Sequence, residues 1–158
     1  MQNPLYFGFP TGVQGGALLL LRVAVGVLFL FHGYPKITHL KQWSDSLGMP
    51  RFLCFLSALS MLLGGIFLII GLLTPLASAA ILASMAFALF LHISKGLPFV
   101  ARDPYLIPPE QYKGPKGQGE PPSLEKAFIY NVMLIAIAAL GPGGFSLDAL
   151  IFGPLING

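Results

Sequence analysis

The sequence predicts an all-α membrane protein, a four-transmembrane-helix bundle with a short interfacial helix after the first span. Its 158 residues are 55% hydrophobic and only 9% charged, whereas soluble domains are roughly 25% charged. The stretch from Gly16 to Lys36 is almost continuously apolar, and at about 1.5 Å per residue it can cross a hydrocarbon layer about 30 Å thick. Because lipid offers the backbone no hydrogen-bond partners, such a segment must be helical.

Four apolar segments supply the spans of a single domain, residues 1–158. The first helix is predicted to end before Pro35, because proline lacks the N–H that continues a helix. The third is predicted to begin at Pro75, since proline suits the first turn of a helix. The four helices are predicted at about residues 15–34, 51–73, 75–95 and 123–140.

The segments between the spans differ in character. Leu40, Trp43 and Leu47 recur at helical spacing among polar residues, which predicts a short interfacial helix anchored by Trp43. Residues 96–122 are rich in proline and glycine and are predicted to form a long loop.

Small residues mark the helix faces that should pack together. Gly26 and Gly33 share one arc of the first helix with Arg22, and Gly64 lies on a similar face of the second span. Small residues let helix backbones approach closely within a membrane, so we expect tight contact between these faces.

Lysine and arginine residues predict the orientation. The chain has nine, and all except Arg22 lie in or beside the two loops after the first and third spans. Because positive charge favours the cytoplasmic side, we predict a multi-pass protein with both termini outside. The charges are scattered around apolar spans, so the expected partner is the lipid bilayer and not nucleic acid.

One intramembrane charge requires a partner. Arg22 lies near the outer end of the first span, and an even number of spans brings Asp148 to the same face. A charge within the membrane is costly unless it is paired. We therefore predict a structural ion pair between Arg22 and Asp148.

A polar cluster is expected at the cytoplasmic end of the bundle. Its members end the first and third helices or begin the fourth, and two histidines with a carboxylate could in principle hold a non-haem iron. They lie on separate helices without metal-ligand spacing, so we predict no metal and favour a quinone headgroup as the ligand. The candidate pocket residues are His32, Lys36, His92, Glu125, Tyr130 and Asn131.

Three stretches of the sequence, residues 20–37, 64–79 and 141–150, are distinctive together with the histidine near the end of the third helix. In combination they resemble the DoxX family of small bacterial membrane proteins. The resemblance implies a four-helix bundle in the bacterial inner membrane. It also implies association, in some members, with thiosulfate:quinone oxidoreductase or with oxidative-stress enzymes. The positions that it singles out are Arg22, His32, Gly33, Lys36, Gly71, Glu125 and Asp148.

Two positions depart from the family pattern. Met61 stands where relatives usually have an intramembrane glutamate, and Pro75 stands where they often have arginine. The missing glutamate removes a carboxylate from the interior of the predicted bundle.

Two classes of function follow, and the sequence leaves open whether the protein is an enzyme. In the first, it is an integral membrane subunit of a quinone-linked redox system that works with other membrane or membrane-associated redox proteins. That system would be of the thiosulfate:quinone oxidoreductase type or associated with oxidative stress. In the alternative, it is a non-catalytic structural or assembly subunit that docks into a larger membrane complex.

Overall fold

The computed structural model describes residues 8–106, 108 and 122–157. This part of the chain is helical and contains no strand, which confirms the all-α prediction. Most of the predicted loop at 96–122 lies outside the described residues. The helices are α1 (Gly12–Thr38), α2 (Leu40–Leu47), α3 (Arg51–Ile70), α4 (Thr74–Ser94), α5 (Glu125–Leu140) and α6 (Leu147–Asn157), with a 3-10 turn at Pro104–Leu106.

Three of the described helices, α1, α3 and α4, are long and apolar enough to cross a membrane. Helix α5 has 16 residues, slightly fewer than the roughly 17–25 of typical spans, so a fourth span is not confirmed. Helix α5 nevertheless runs between the same two ends of the bundle. The N–H of Leu124 donates to the Pro98 carbonyl after α4 (3.0 Å), and the N–H of Gly144 donates to the Pro10 carbonyl before α1 (2.7 Å).

Glycines allow α1 and α3 to pack closely, as their spacing predicts. A Cβ added at Gly26 would lie 2.6 Å from the carbonyl oxygen of Gly65, closer than any real side chain could tolerate. Gly64 plays the same part between α3 and α4, because an added Cβ would lie 2.7 Å from Ile81. Close backbone approach of this kind is how helices associate in lipid.

The core lies where the four long helices meet. It is built from fully buried apolar side chains of each helix, including Val25, Phe29, Leu68, Ile81 and Leu134. Large apolar side chains such as Phe31, Phe52 and Phe90 are instead more than half exposed on the outside. An outer surface this apolar suits contact with lipid, so the protein is a membrane protein.

The observed ends of α1 and α2 correct one prediction and confirm another. Pro35 lies inside α1, which continues to Thr38. Because Pro35 stands within the last turn, its missing N–H affects little of the helix, and its carbonyl still accepts from the N–H of His39 (3.0 Å). The predicted short helix after the first span is present as α2 and ends at Gly48 in the left-handed conformation.

The turn between α3 and α4 is longer than predicted, because α3 ends three residues before the predicted end at 73 and α4 begins one residue before the predicted start at 75. Helix α3 ends at Ile70 because Gly71 adopts a left-handed conformation with φ 70°. Leu73 is also left-handed, with φ 47°, and Thr74 begins α4 directly after it. Helix α5 begins at Glu125, two residues after the predicted start.

Candidate functional site

A cavity of about 820 Å³ lies at the end of the bundle where α1 and α4 end and α3 and α5 begin. Its size is typical of pockets that bind small organic molecules or cofactors. Helix α2 closes one side with Trp43 and Leu47. The ionisable side chains that line the cavity are His32, Lys36, His92, Lys95, Lys126 and Tyr130, together with the thiol of Cys54.

His32 and Tyr130 form a polar pair in this cavity. The Nε2 atom of His32 and the hydroxyl of Tyr130 share a hydrogen bond of 3.1 Å, and the two rings meet edge to face with centroids 5.6 Å apart. Phe29 packs against Tyr130 with centroids 5.0 Å apart. The pair therefore joins α1 to α5 and presents groups that can both donate and accept a proton.

Lys36 lies on the α2 side of the cavity against two neutral groups. Its ammonium donates to the sulfur of Met61 (3.3 Å) and lies 5.0 Å from the centre of the Trp43 ring. Met61 is 1% exposed. The cation–π contact attaches α2 to the bundle, and the thioether is only a weak acceptor.

His92 lines the cavity from α4 and has an unused hydrogen-bonding atom. Its Nδ1 is buried and has no hydrogen-bond partner in the described part of the protein. Buried polar atoms are paired in the great majority of cases. His92 thus lines the cavity while this nitrogen keeps an unused capacity for a hydrogen bond.

The cavity reaches the outer surface along α3 and α4. Leu53 and Leu56 of α3 and Phe87 of α4 line it, yet they are 47%, 52% and 44% exposed. In a membrane this surface faces the acyl chains. The arrangement gives an apolar molecule a lateral route from the lipid to the polar groups.

Four of the six predicted pocket residues line this cavity, namely His32, Lys36, His92 and Tyr130, and two do not. Asn131 uses its side-chain amide within its own helix, donating to the carbonyl of Ala127 (2.7 Å). Glu125 is replaced at the cavity by its neighbour Lys126. Glu125 and Asn131 are therefore not among the residues that line this cavity, and their role in a site remains a prediction.

The sequence contains the information needed to predict that Lys126 lines the same site as Tyr130. Residues four apart lie on one face of a helix, and Lys126 precedes Tyr130 by four. Glu125 is displaced by about 100° from Lys126 on the helix, and Asn131 instead uses its side-chain amide on the Ala127 carbonyl.

Arg22 lies at the opposite end of the bundle and is fully buried. Its guanidinium donates to the carbonyl of Leu68 (3.1 Å) and to the carbonyl of Phe145 (2.6 Å). It also lies directly against Gly71, where any side chain would collide with it. Arg22 therefore connects α1, the end of α3 and the segment before α6.

Asp148 is fully buried on the other side of the same turn. Its two carboxylate oxygens accept from the backbone N–H groups of Leu73 (2.7 Å) and Thr74 (2.9 Å). It thereby caps the start of α4 and holds the left-handed Leu73. Its charge also attracts Arg22, but the hydrogen bonds of both groups go to backbone. Among the described residues no hydrogen bond or salt bridge joins the two side chains, so the predicted ion pair is not seen as a direct contact. Both groups instead bind backbone beside the α3–α4 turn.

Comparison with known proteins gives a family and one curated relative. Residues 17–93 match the family model described as DoxX. A Bacillus subtilis protein named "Putative oxidoreductase CatD" is 37% identical over 59 residues, which are 35% of this chain and 44% of that protein. The match thus spans less than half the length of the relative. No solved structure matches the chain.

Proposed function

We propose that this chain, of which residues 17–93 match the DoxX family model, is the quinone-binding membrane subunit of a redox system. One observation carries the proposal: the His32–Tyr130 pair faces a cavity with apolar walls that opens on the lipid side. The name of the Bacillus subtilis relative, an oxidoreductase, agrees with a redox role.

A quinone has features that correspond to those of the cavity. Its planar ring carries two carbonyl acceptors, which Tyr130, His32 or Lys36 can approach with donors. Its hydrophobic tail can lie along Leu53 and Leu56, which are shared between the cavity and the outer surface. Ligand pockets typically combine a mainly apolar lining with a few polar groups of this kind.

The electrons would come from a small sulfur compound oxidised on a partner protein. Two thiols that join in a disulfide release two electrons and two protons, and two thiosulfates that join through a new S–S bond release two electrons. A quinone that takes up two electrons and two protons becomes the quinol. Cys54 is the only cysteine of the chain, so no disulfide can form within it. We therefore place the sulfur chemistry on another membrane or membrane-associated redox protein.

The proposal includes four crossings of the bacterial inner membrane, with both termini outside. Helix α5 would be the fourth span, which its extension between both ends of the bundle supports. The cavity would then lie at the cytoplasmic end, where Lys36, Lys95 and Lys126 add to the positive charge expected on that side.

Purification from native membranes tests the proposal. We expect quinone to be extracted in stoichiometric amount from the wild-type protein and to be lost in His32→Ala and His92→Ala. His39→Ala is the matched control, because His39 is exposed and does not line the cavity. If the wild-type protein carries no quinone and co-purifies with a large complex regardless of these substitutions, the assembly-subunit alternative replaces the proposal.

A further inference from the structure

The charges around the cavity are all of one sign. Lys36, Lys95 and Lys126 line it, and no aspartate or glutamate is among the described lining residues. The charge of Lys126 acts on both His32 and Tyr130. The lining therefore contains three cationic side chains.

Lys36 is the cation whose surroundings are most informative. Its ammonium has three donors, and the contacts it makes are with the Met61 sulfur and the face of Trp43. Neither group carries a compensating negative charge. A partly buried ammonium with only neutral contacts is costly, so an anion beside it would be stabilised.

Two further features favour an anion in this position. The apolar walls lower the local dielectric constant, which strengthens attraction between opposite charges. His92 also lines the cavity, and an imidazole nitrogen that carries a proton can donate to a negatively charged oxygen.

We infer that the cavity prefers a quinone-type ligand in its deprotonated, anionic form over a neutral ligand of the same shape. The inference rests on the proposed quinone site and names the ligand class that this site selects. The preferred class is a planar ring system with one ionised oxygen, such as a hydroxynaphthoquinone anion or the monoanion of a reduced quinone. The ionised oxygen lies beside Lys36, and the ring lies between Tyr130 and the apolar wall.

Two naphthoquinones that differ in one substituent test the inference. 2-Hydroxy-1,4-naphthoquinone is an anion at neutral pH, and 2-methyl-1,4-naphthoquinone is neutral and of nearly the same size. Their dissociation constants are measured on the full-length protein in lipid nanodiscs. Because a hydrogen bond to a charged group contributes about 1.5–3 kcal/mol, we expect the anion to bind about tenfold more tightly or better.

Substitutions at Lys36 and Met61 test whether the Lys36 ammonium causes the preference for the anionic probe. Lys36→Met should remove most of it, and Lys36→Arg should retain it, because arginine keeps the charge. Lys41→Met is the control, since Lys41 is exposed and does not line the cavity. Met61→Glu places a carboxylate beside the Lys36 ammonium and should abolish the preference, whereas Met61→Gln should not.

The ratio of the two dissociation constants separates a loss of preference for the anion from a general loss of binding. Partial unfolding of a variant weakens both probes together and leaves their ratio unchanged. Equal binding of the two probes to the wild-type protein, or tighter binding of the neutral probe, overturns the inference and leaves the quinone site standing. If neither probe binds, the proposed function itself is wrong.

Discussion

The hydroxyl of Tyr130 is the group whose removal tests the quinone site most cleanly. Tyr130→Phe deletes the hydrogen bond to His32 and retains the ring that packs on Phe29. Since a hydrogen bond contributes about 1 kcal/mol, we expect quinone affinity to fall about fivefold. A quinone titration of the purified protein measures this.

The matched control for Tyr130 is Tyr34→Phe. Tyr34 is 66% exposed and does not line the cavity, so its variant should bind quinone as the wild-type protein does. Unchanged affinity in Tyr130→Phe would remove the tyrosine from the site.

Substitution of Asp148 tests the contribution of the buried polar side chains Arg22 and Asp148 at the other end of the bundle. In Asp148→Asn one of the two acceptors becomes an NH₂ group that faces a backbone donor, and the charge that attracts Arg22 is lost. Losing a hydrogen bond to a charged group costs about 1.5–3 kcal/mol, so we expect a clearly lower thermal unfolding temperature in detergent. Asp45→Asn, at an exposed position of α2, should leave it unchanged. Equal unfolding temperatures for both variants would show that Asp148 has no structural role.

The residue types in the sequence identified which buried side chains need hydrogen-bond partners. They did not identify the partners themselves. A charge inside an apolar span must be satisfied, so Arg22 and Asp148 could be identified from the sequence. Their hydrogen-bond partners are backbone groups of Leu68 and Leu73. Those contacts depend on the shape of the α3–α4 turn, which no residue pattern specifies.

Among the contacts between helices, the close packing of α1 against α3 can be tested with a single substitution. In Gly26→Ala the new methyl group would lie 2.6 Å from the Gly65 carbonyl oxygen, so the helices must separate. Overpacking costs about 1–3 kcal/mol, which should exceed the gain of about 1 kcal/mol from alanine's higher helix propensity. We expect a lower unfolding temperature in the same detergent.

Gly16→Ala provides the comparison on the same helix. A Cβ at Gly16 meets nothing within 4 Å, so only the propensity gain remains and stability should be equal or higher. If both alanine variants behave alike, the α1–α3 contact is looser than the distance between Gly26 and Gly65 implies.

Helix order could be predicted from hydropathy, while the helix ends depended on local conformation. Helix α3 ends before Gly71, three residues earlier than predicted, because Gly71 adopts a left-handed conformation, whereas Pro75 lies one residue after the observed start of α4. Pro35 was misleading, since a proline one turn from the end of a helix need not end it. The cavity itself could not be predicted, because it forms only where five helices meet.

At the scale of the whole molecule, the two ends of the bundle have opposite properties. One end is closed around Arg22 and Asp148, which are fully buried. The other end is open, cationic and lined by residues of five helices. This asymmetry agrees with a protein whose ligand enters from one half of the bilayer while the opposite end maintains the fold.

The orientation of the bundle in the membrane is the last prediction. All but one of the nine lysines and arginines lie in or beside the loops after the first and third spans, and positive charge remains on the cytoplasmic side. We expect Gln14→Cys, at the start of α1, to react with a membrane-impermeant maleimide in intact spheroplasts. Gln42→Cys, in α2, should react only after permeabilisation. Both positions are exposed, and Cys54→Ala provides a cysteine-free background.

A third label tests whether α5 crosses the membrane. Leu150 of α6 is 72% exposed, and the bond from Gly144 to Pro10 places the segment before α6 beside the start of α1. Leu150→Cys should therefore react together with Gln14→Cys. Labelling of Leu150→Cys only after permeabilisation, with Gln14→Cys labelled in intact spheroplasts, would mean that α5 does not span. Labelling of Gln42→Cys alone in intact spheroplasts would invert the predicted orientation and place the cationic cavity on the outer side.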